Sequence, residues 1–233
     1  CNLSGARMIL HKWFDPQLVL RSITRNRVTE FVGVPTMYIR LMDTFDPAVH
    51  SMNSIRQFLS GGAPLSAETQ LAVEAKWGKP FYQGYGLTEC SPTVSRQRVG
   101  RPRKPGCVGP AVDKVEIRIL DEEDRELPRG EAGEVCARGP NVMKGYFNKE
   151  DATRQAMRNG WLHTGDVGYL DPEGELFITD RKKDLIIRGG ENISPGAVED
   201  ILFKHPAVLE AAVVGIPDPV YGEEVKAFVV LKQ

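Results

Sequence analysis

The sequence predicts an α/β chain: a parallel sheet with crossover helices, then a small β subdomain, then a truncated small α+β C-terminal domain. Three observations carry this prediction. Residues up to about Tyr85 alternate helix and strand signals in the order that demands crossover connections. After Pro92 the helical signals give way to short alternating strands. Beyond Asp184 come an apolar strand, a glycine pair, a capped helix and a further strand.

Taken in order, Asp15 before Pro16 is a cap residue and a first-turn proline, opening an amphipathic helix with Leu18, Val19 and Ile23 on one side. Glu30 to Val34 is a short strand stopped by Pro35, and a second helix runs through Met37, Tyr38 and Leu41. Ile55 to Ser60 is the next strand, Gly61 and Gly62 turn the chain, and Ser66 caps a helix that Gly78 ends. Phe81 to Tyr85 is the third strand. Arg96 to Pro105 is basic and broken by proline and glycine, which reads as a mobile loop. Val115, Ile117 and Ile119 alternate with polar partners, and Asp121 to Asp124 reads as a hairpin tip. Val167 to Leu170 and Glu175 to Thr179 flank the turn signal Asp171-Pro172-Glu173-Gly174. Leu185 to Ile187 is apolar and leads to Gly189 and Gly190. Ser194 and Pro195 then open a helix with Val198, Ile201 and Leu202 on one face, and Val208 to Ile216 returns as a strand.

The 233 residues carry 30 Lys plus Arg against 31 Asp plus Glu, a formal charge of −1. That balance excludes a general polyanion binder, and Arg96, Arg98, Arg101, Arg103 and Lys104 have no interleaved aromatics, so no nucleic-acid partner is expected. With 41% hydrophobic and 26% charged residues the composition is globular. No run reaches the roughly 18 apolar residues of a membrane span. Cys1, Cys90, Cys107 and Cys136 form no paired spacing, so a reducing, cytoplasmic setting is expected. Cys90, in a glycine-rich loop, reads as exposed. His11, His50, His163 and His205 show no ligand spacing.

Glycine-rich turns that follow strands let backbone N–H groups approach a phosphate or a flat ring. Two such turns occur: Ser60-Gly61-Gly62-Ala63-Pro64, and Gln83-Gly84-Tyr85-Gly86-Leu87-Thr88-Glu89. In a parallel sheet both lie at the carboxyl edge, where α/β folds place ligands. Thr88 beside Glu89 suits a phosphate contact next to a Mg²⁺ ligand, and it is equally the pattern of a helix cap followed by a first-turn acid.

Read as a set, the ordered motifs carry more. They are Gly61-Gly62-Ala63-Pro64, Tyr85-Gly86-Leu87-Thr88-Glu89, Gly133-Glu134-Val135-Cys136 with Arg138-Gly139-Pro140, Gly145-Tyr146, Gly160-Trp161-Leu162-His163-Thr164-Gly165-Asp166, Asp180-Arg181-Lys182-Lys183-Asp184 and Gly189-Gly190-Glu191-Asn192-Ile193. Through them the chain resembles, over essentially its whole length, the adenylate-forming superfamily of acyl-CoA synthetases, 4-coumarate-CoA ligases, luciferases and peptide-synthetase adenylation domains. The resemblance implies a fragment of an AMP-forming acid–thiol ligase, an acyl-CoA synthetase for a fatty or medium-chain acid, using ATP, Mg²⁺ and coenzyme A. Its alternatives are a module that loads a carrier protein and a nucleotide-binding module without chemistry.

The same resemblance implies residue roles. Gly61, Gly62, Ala63, Gly84, Tyr85, Gly86 and Leu87 would line the ATP or AMP site, Tyr85 by stacking on adenine. Thr88 would touch phosphate and Glu89 would hold Mg²⁺. Asp166 would accept both ribose hydroxyls, Arg181 would reach ribose or phosphate, and Asn192 would contribute a hydrogen bond. Lys183 would be the hinge, and Gly189 and Gly190 would pass the thiol arm of CoA. The division implied is residues 1–95 for the C-terminal part of a large α/β subdomain, 96–180 for the β subdomain, 181–184 for the hinge and 185–233 for a truncated C-terminal domain. The Ser/Thr/Gly-rich phosphate loop is expected before Cys1 and a catalytic lysine after Gln233. Ile187 stands where some relatives carry a lysine, and Asn192 where they carry a glutamine.

Overall fold

The computed structural model describes residues 5–63 and 65–231, so Pro64 of the first glycine turn, Cys1, Lys232 and Gln233 lie outside the described residues. The chain forms two compact units. One runs to Tyr85 and takes in Gln97–Gly106; the other comprises Gly86–Arg96 and continues from Cys107.

In the first unit, helix α1 (Pro16–Asn26) starts where Asp15 accepts the Leu18 N–H at 2.7 Å, and it buries Val19, Leu20 and Ile23. Strand β1 (Glu30–Gly33), helix α2 (Pro35–Thr44), strand β2 (Gln57–Ser60), helix α3 (Ala67–Trp77) and strand β3 (Phe81–Gly86) follow. Ser66 accepts the Thr69 N–H, and Gly78, left-handed at φ +62°, closes α3. β1 pairs β2 and β2 pairs β3, both parallel, with Phe58 opposite Phe31 and Phe81. The crossover arrangement expected from the alternating signals is therefore present.

Its core joins Leu20, Ile23, Tyr38, Leu41, Ile55, Phe58, Val73 and Phe81, all nearly or fully buried. Tyr38 carries a hydroxyl into this apolar centre, where its O–H lies 2.5 Å from the Leu59 carbonyl and 3.1 Å from that of Phe31. Burial pushes the Tyr38 phenol upward, so it stays neutral and donates.

The basic segment after Arg96 departs from expectation, because it is tied down rather than free. Gln97 exchanges backbone and side-chain hydrogen bonds with Gln83 and donates to Lys104 O at 3.1 Å. Arg103 pairs with Glu74, donates to Phe81 O at 2.9 Å and lies over the Tyr82 ring. A guanidinium so engaged anchors the loop to the end of the sheet.

The second unit holds two antiparallel sheets and opens with the short strand β4 (Thr93–Arg96). In the first sheet, strand β5 (Glu116–Leu120) pairs β6 (Gly133–Arg138), which pairs β8 (Trp161–Leu170). β8 also pairs the two-residue β7 (Met157–Arg158), which follows helix α4 (Glu150–Ala156), and β9 (Leu176–Arg181). The turn expected at Asp171 to Gly174 joins β8 to β9, with Gly174 N bonded to Asp171 O. Asp121 to Asp124 is a tip, as expected, closed by Asp121 N to Arg125 O. In the second sheet, β10 (Ile186–Arg188) pairs β11 (Glu191–Ile193) and β13 (Gly222–Leu231), and β13 pairs β12 (Val208–Asp218). Helix α5 (Pro195–Phe203), capped by Ser194, precedes β12. Ile201, read as part of its apolar face, is 66% exposed. Among the described residues no helix is long and apolar enough to cross a membrane.

Replacing Tyr38 by Phe keeps the ring packing and removes the hydroxyl that reaches the Leu59 carbonyl. The expected loss is about 1–2 kcal/mol, read from the midpoint of urea unfolding at constant slope.

Candidate functional site

In the first unit the two glycine turns meet at neighbouring strand ends. A Cβ on Gly61 would lie 3.2 Å from the Gly84 carbonyl, so backbone approaches backbone where β2 and β3 terminate. Gly62 and Ala63 are exposed and Gly84 and Tyr85 half-buried, which leaves a surface of small residues and one ring.

In the second unit, Gly86 permits no side chain: a Cβ there would meet the Pro92 carbonyl oxygen at 1.9 Å. This closeness folds residues 86–93 back on themselves, with Leu87 N donating to Pro92 O at 2.8 Å. Thr88 opens a short turn, Thr88–Cys90, and is exposed; Glu89 is half-buried. The loop is held by the Asn141 amide, which donates to Cys90 O and Thr93 O, both at 2.8 Å, and by Met143 N on Glu89 O at 2.7 Å. The Tyr146 hydroxyl donates to Glu89 Oε1 at 2.9 Å, which, with minor burial and the Glu89 charge, pushes the phenol upward. Cys90 is fully buried, contrary to the exposed position expected. Burial, then the Glu89 charge, lifts its thiol to about 11, which leaves it inert as a nucleophile.

Asp166 lies on β8 directly opposite Arg181 on β9, and Arg181 Nε is 3.2 Å from Asp166 Oδ1. Asp166 is buried while Arg181 is largely exposed. The strand bulges beside Asp166. Going from Glu134 to Cys136 along β6 advances two residues, whereas their partners on β8 run from Val167 to His163. The surplus falls on Thr164, Gly165 and Asp166, and Gly165 takes the positive φ (+74°) that such a bulge requires.

Lys183 is exposed in the Lys182–Asp184 turn that follows Arg181. Gly189 and Gly190 form the two-residue loop between β10 and β11, both at positive φ, with Gly189 N bonded to Tyr221 O. Asn192 is exposed and stands opposite Ile187 across that hairpin.

Glu134 went unassigned at the sequence level. Its carboxylate is buried on β6, with Oε1 accepting the Gly165 N–H at 3.1 Å and Oε2 lying 3.3 Å from Lys182 Nζ. His163 Nδ1 lies 3.2 Å from Glu134 Oε2 and 2.8 Å from Arg158. One ring nitrogen cannot both accept from Arg158 and donate to Glu134, so the tautomer of the ring selects between the two contacts. Among the described residues Glu134, Cys136 and His163 form the one cluster of three ligand-type groups. Arg158 and Lys182 already supply its positive charge. Burial, then the charges of Glu134 and Asp124, pushes the Cys136 thiol up to about 12, and the Glu134 carboxylate in the cluster is charge-compensated by Arg158 and Lys182. Tyr146, Asn141 and Glu134 all fall in or beside quoted motifs, and that placement was the only signal available for them.

Residues 1–147 match the family described as AMP-binding enzyme, and residues 197–233 match the AMP-binding enzyme C-terminal domain. A long-chain-fatty-acid–CoA ligase of Bacillus subtilis (strain 168) is 44% identical over 230 residues, covering 98% of this chain and 41% of its own length. A feruloyl-CoA synthase of an Amycolatopsis species is 42% identical, covering 98% of this chain and 46% of its own. The structure of o-succinylbenzoate CoA synthetase from Bacillus subtilis in complex with its acyl-adenylate intermediate superposes with a TM-score of 0.83 at 40% identity, covering 96% of this chain and 45% of that one. The chain thus spans less than half the length of the relatives it matches.

Burial pushes the Glu134 carboxyl upward, but the contact with the His163 imidazole and the Lys182 charge outweigh it and hold the group below the usual carboxylate range. A lowered folded value means the stabilisation is complete above the unfolded value of roughly 4.3 and is lost as pH falls through the folded one. The gap in urea midpoint between the wild-type chain and Glu134→Gln should therefore be widest near neutrality and narrow as pH falls below the unfolded carboxylate value. A gap constant from pH 7 to pH 3 would contradict this.

Proposed function

Because the chain belongs to the AMP-binding enzyme family, we propose that it is the nucleotide-handling part of an AMP-forming acid–thiol ligase, an acyl-CoA synthetase that takes a fatty or medium-chain acid. The observation that carries this reading is the Asp166–Arg181 pair, a buried carboxylate and an exposed guanidinium fixed opposite each other on adjacent strands. A carboxylate has two oxygens and can accept from both hydroxyls of a ribose. Arg181 stays charged at every working pH and, from its exposed position, can turn toward an anionic group.

In the first half-reaction the acid's carboxylate attacks the α-phosphorus of ATP, forming the acyl-adenylate and releasing pyrophosphate. In the second, CoA thiolate attacks the acyl carbonyl and AMP leaves. Gly61, Gly62, Ala63 and Gly84 present backbone and small side chains to the adenine, with Tyr85 stacking on it. Thr88 donates its exposed hydroxyl to a phosphate oxygen. Glu89 is a single half-buried carboxylate whose present partner is a neutral phenol, Tyr146. That donor suits a cation that keeps most of its waters, so Glu89 would hold Mg²⁺, which when bound neutralises phosphate charge. Lys183 serves as the hinge residue, and the Gly189–Gly190 loop leaves room for the thiol-bearing arm, since a Cβ on Gly190 would meet nothing within 4 Å. The identity of the acid draws its support from the fatty-acid ligase among the relatives.

Calorimetry of this chain with ATP, AMP and a non-hydrolysable acyl-adenylate mimic tests the assignment: saturable binding is expected, and heats of dilution alone would refute it. Asp166→Ala should weaken nucleotide binding about tenfold or more, as loss of a charged acceptor with two contacts implies. In a full-length ligase carrying this chain, Lys183→Pro should spare pyrophosphate exchange more than CoA-ester formation. Equal losses would contradict the hinge role.

A further inference from the structure

We infer that Glu134 is the positioning residue of the Asp166–Arg181 pair, its two carboxylate oxygens holding the residue before Asp166 and the residue after Arg181 from the neighbouring strand. The inference rests on the reading of that pair as nucleotide-binding.

Where β8 bulges against β6, the surplus residues lose their regular ladder partners. A backbone N–H stranded inside a sheet must find another acceptor. Gly165 N finds Glu134 Oε1 at 3.1 Å, and the neighbouring Asp166 N finds Thr164 Oγ1 at 3.1 Å, while the Thr164 hydroxyl itself donates to Val135 O. Residues 134 and 135 of β6 therefore supply acceptors for the bulge that aims Asp166. On the other side of the pair, Lys182 Nζ lies 3.3 Å from Glu134 Oε2. Asp166 and Arg181 are register partners, so a group that grips Gly165 and Lys182 grips β8 and the turn that follows β9, each one residue from the pair.

Neither contact can be supplied by a neighbour. Arg158, 3.9 Å from the same carboxylate, has only donors and cannot accept from Gly165 or Lys182, and the Nδ1 of His163, 3.2 Å from the carboxylate, is already shared between Glu134 and Arg158. An aspartate at 134 would be one methylene too short to reach both groups. A glutamine would keep an acceptor for Gly165 but present no charge to Lys182.

Two variants separate positioning from bulk stability. Glu134→Gln removes the charge from inside the network. Lys182→Met removes its partner from a side chain that is 41% exposed, leaving the core intact if the first variant folds poorly. In hydrogen exchange of the chain, both should speed exchange at the amides of Gly165, Asp166 and Lys183 several-fold while protection across β5 and β6 is retained. Each should weaken AMP binding by roughly three- to tenfold, and the double variant no further than the weaker single, because both act through one contact. Unchanged exchange at these amides in Lys182→Met overturns the inference, as do AMP losses that multiply in the double variant or simply follow the fall in melting temperature. Exchange needs no ligand. A wild-type chain that fails to bind AMP therefore refutes the nucleotide reading separately from the positioning claim.

Discussion

Register along β6, β8 and β9 decides which charged groups in the second unit can meet. Side chains alternate faces with a period of two, so a one-residue slip would carry Asp166 to the opposite face and separate it from Arg181. The ladder is pinned by interruptions as much as by regular pairs. One irregularity lies between Val167 and Gly168 on the β9 side and another between Glu134 and Cys136 on the β6 side. Gly165 makes the second tolerable, because an L side chain at its positive φ would strain the backbone. The glycine before the aspartate is thus a backbone requirement that sets the direction of a side chain.

Charge compensation follows from that geometry. A carboxylate as buried as Glu134 would be costly alone, but it sits among Lys182, Arg158, His163 and a backbone N–H. Nearby, Arg118 and Arg138 both lie over the Trp161 ring, at 4.7 and 4.5 Å from its centroid, so cations on β5 and β6 also cover the start of β8. The described cysteines run the other way: all three are buried, and their thiols are lifted to about 11 or 12, chiefly by burial. They act as small apolar groups, in keeping with a chain that has no disulfide pattern.

Close backbone approach is the second recurring device. Gly86 against the Pro92 carbonyl excludes any side chain for steric reasons, and Gly61 leaves only a tight 3.2 Å for a Cβ against the Gly84 carbonyl. The loop that Gly86 shapes carries Thr88 and Glu89, and its conformation is secured by Asn141, Met143 and Tyr146 from the segment after β6. Motifs that look independent along the chain are therefore parts of one hydrogen-bonded assembly within the second unit.

What the amino-acid sequence determined by itself was local. The Asp15 and Ser66 caps, the Gly78 stop, the Asp171 to Gly174 turn and the Gly189–Gly190 loop each depend on a few adjacent residues, whose propensities act over one turn or one hairpin. Asp166, Arg181, Thr88 and Glu89 became candidates through the resemblance of the ordered motifs to a known superfamily, since locally each also reads as an ordinary turn, cap or surface residue. Tertiary structure decided the rest. Glu134 reaches Gly165 across 31 residues and Lys182 across 48, and Tyr146 reaches Glu89 across 57. Cys90 is buried although its loop composition reads as exposed, and Arg103 is spent on Glu74 and Tyr82 although its surroundings read as a free basic loop. Periodicity and capping carry no information about such pairs, because their distances are set by strand register and by packing of segments that are remote along the chain.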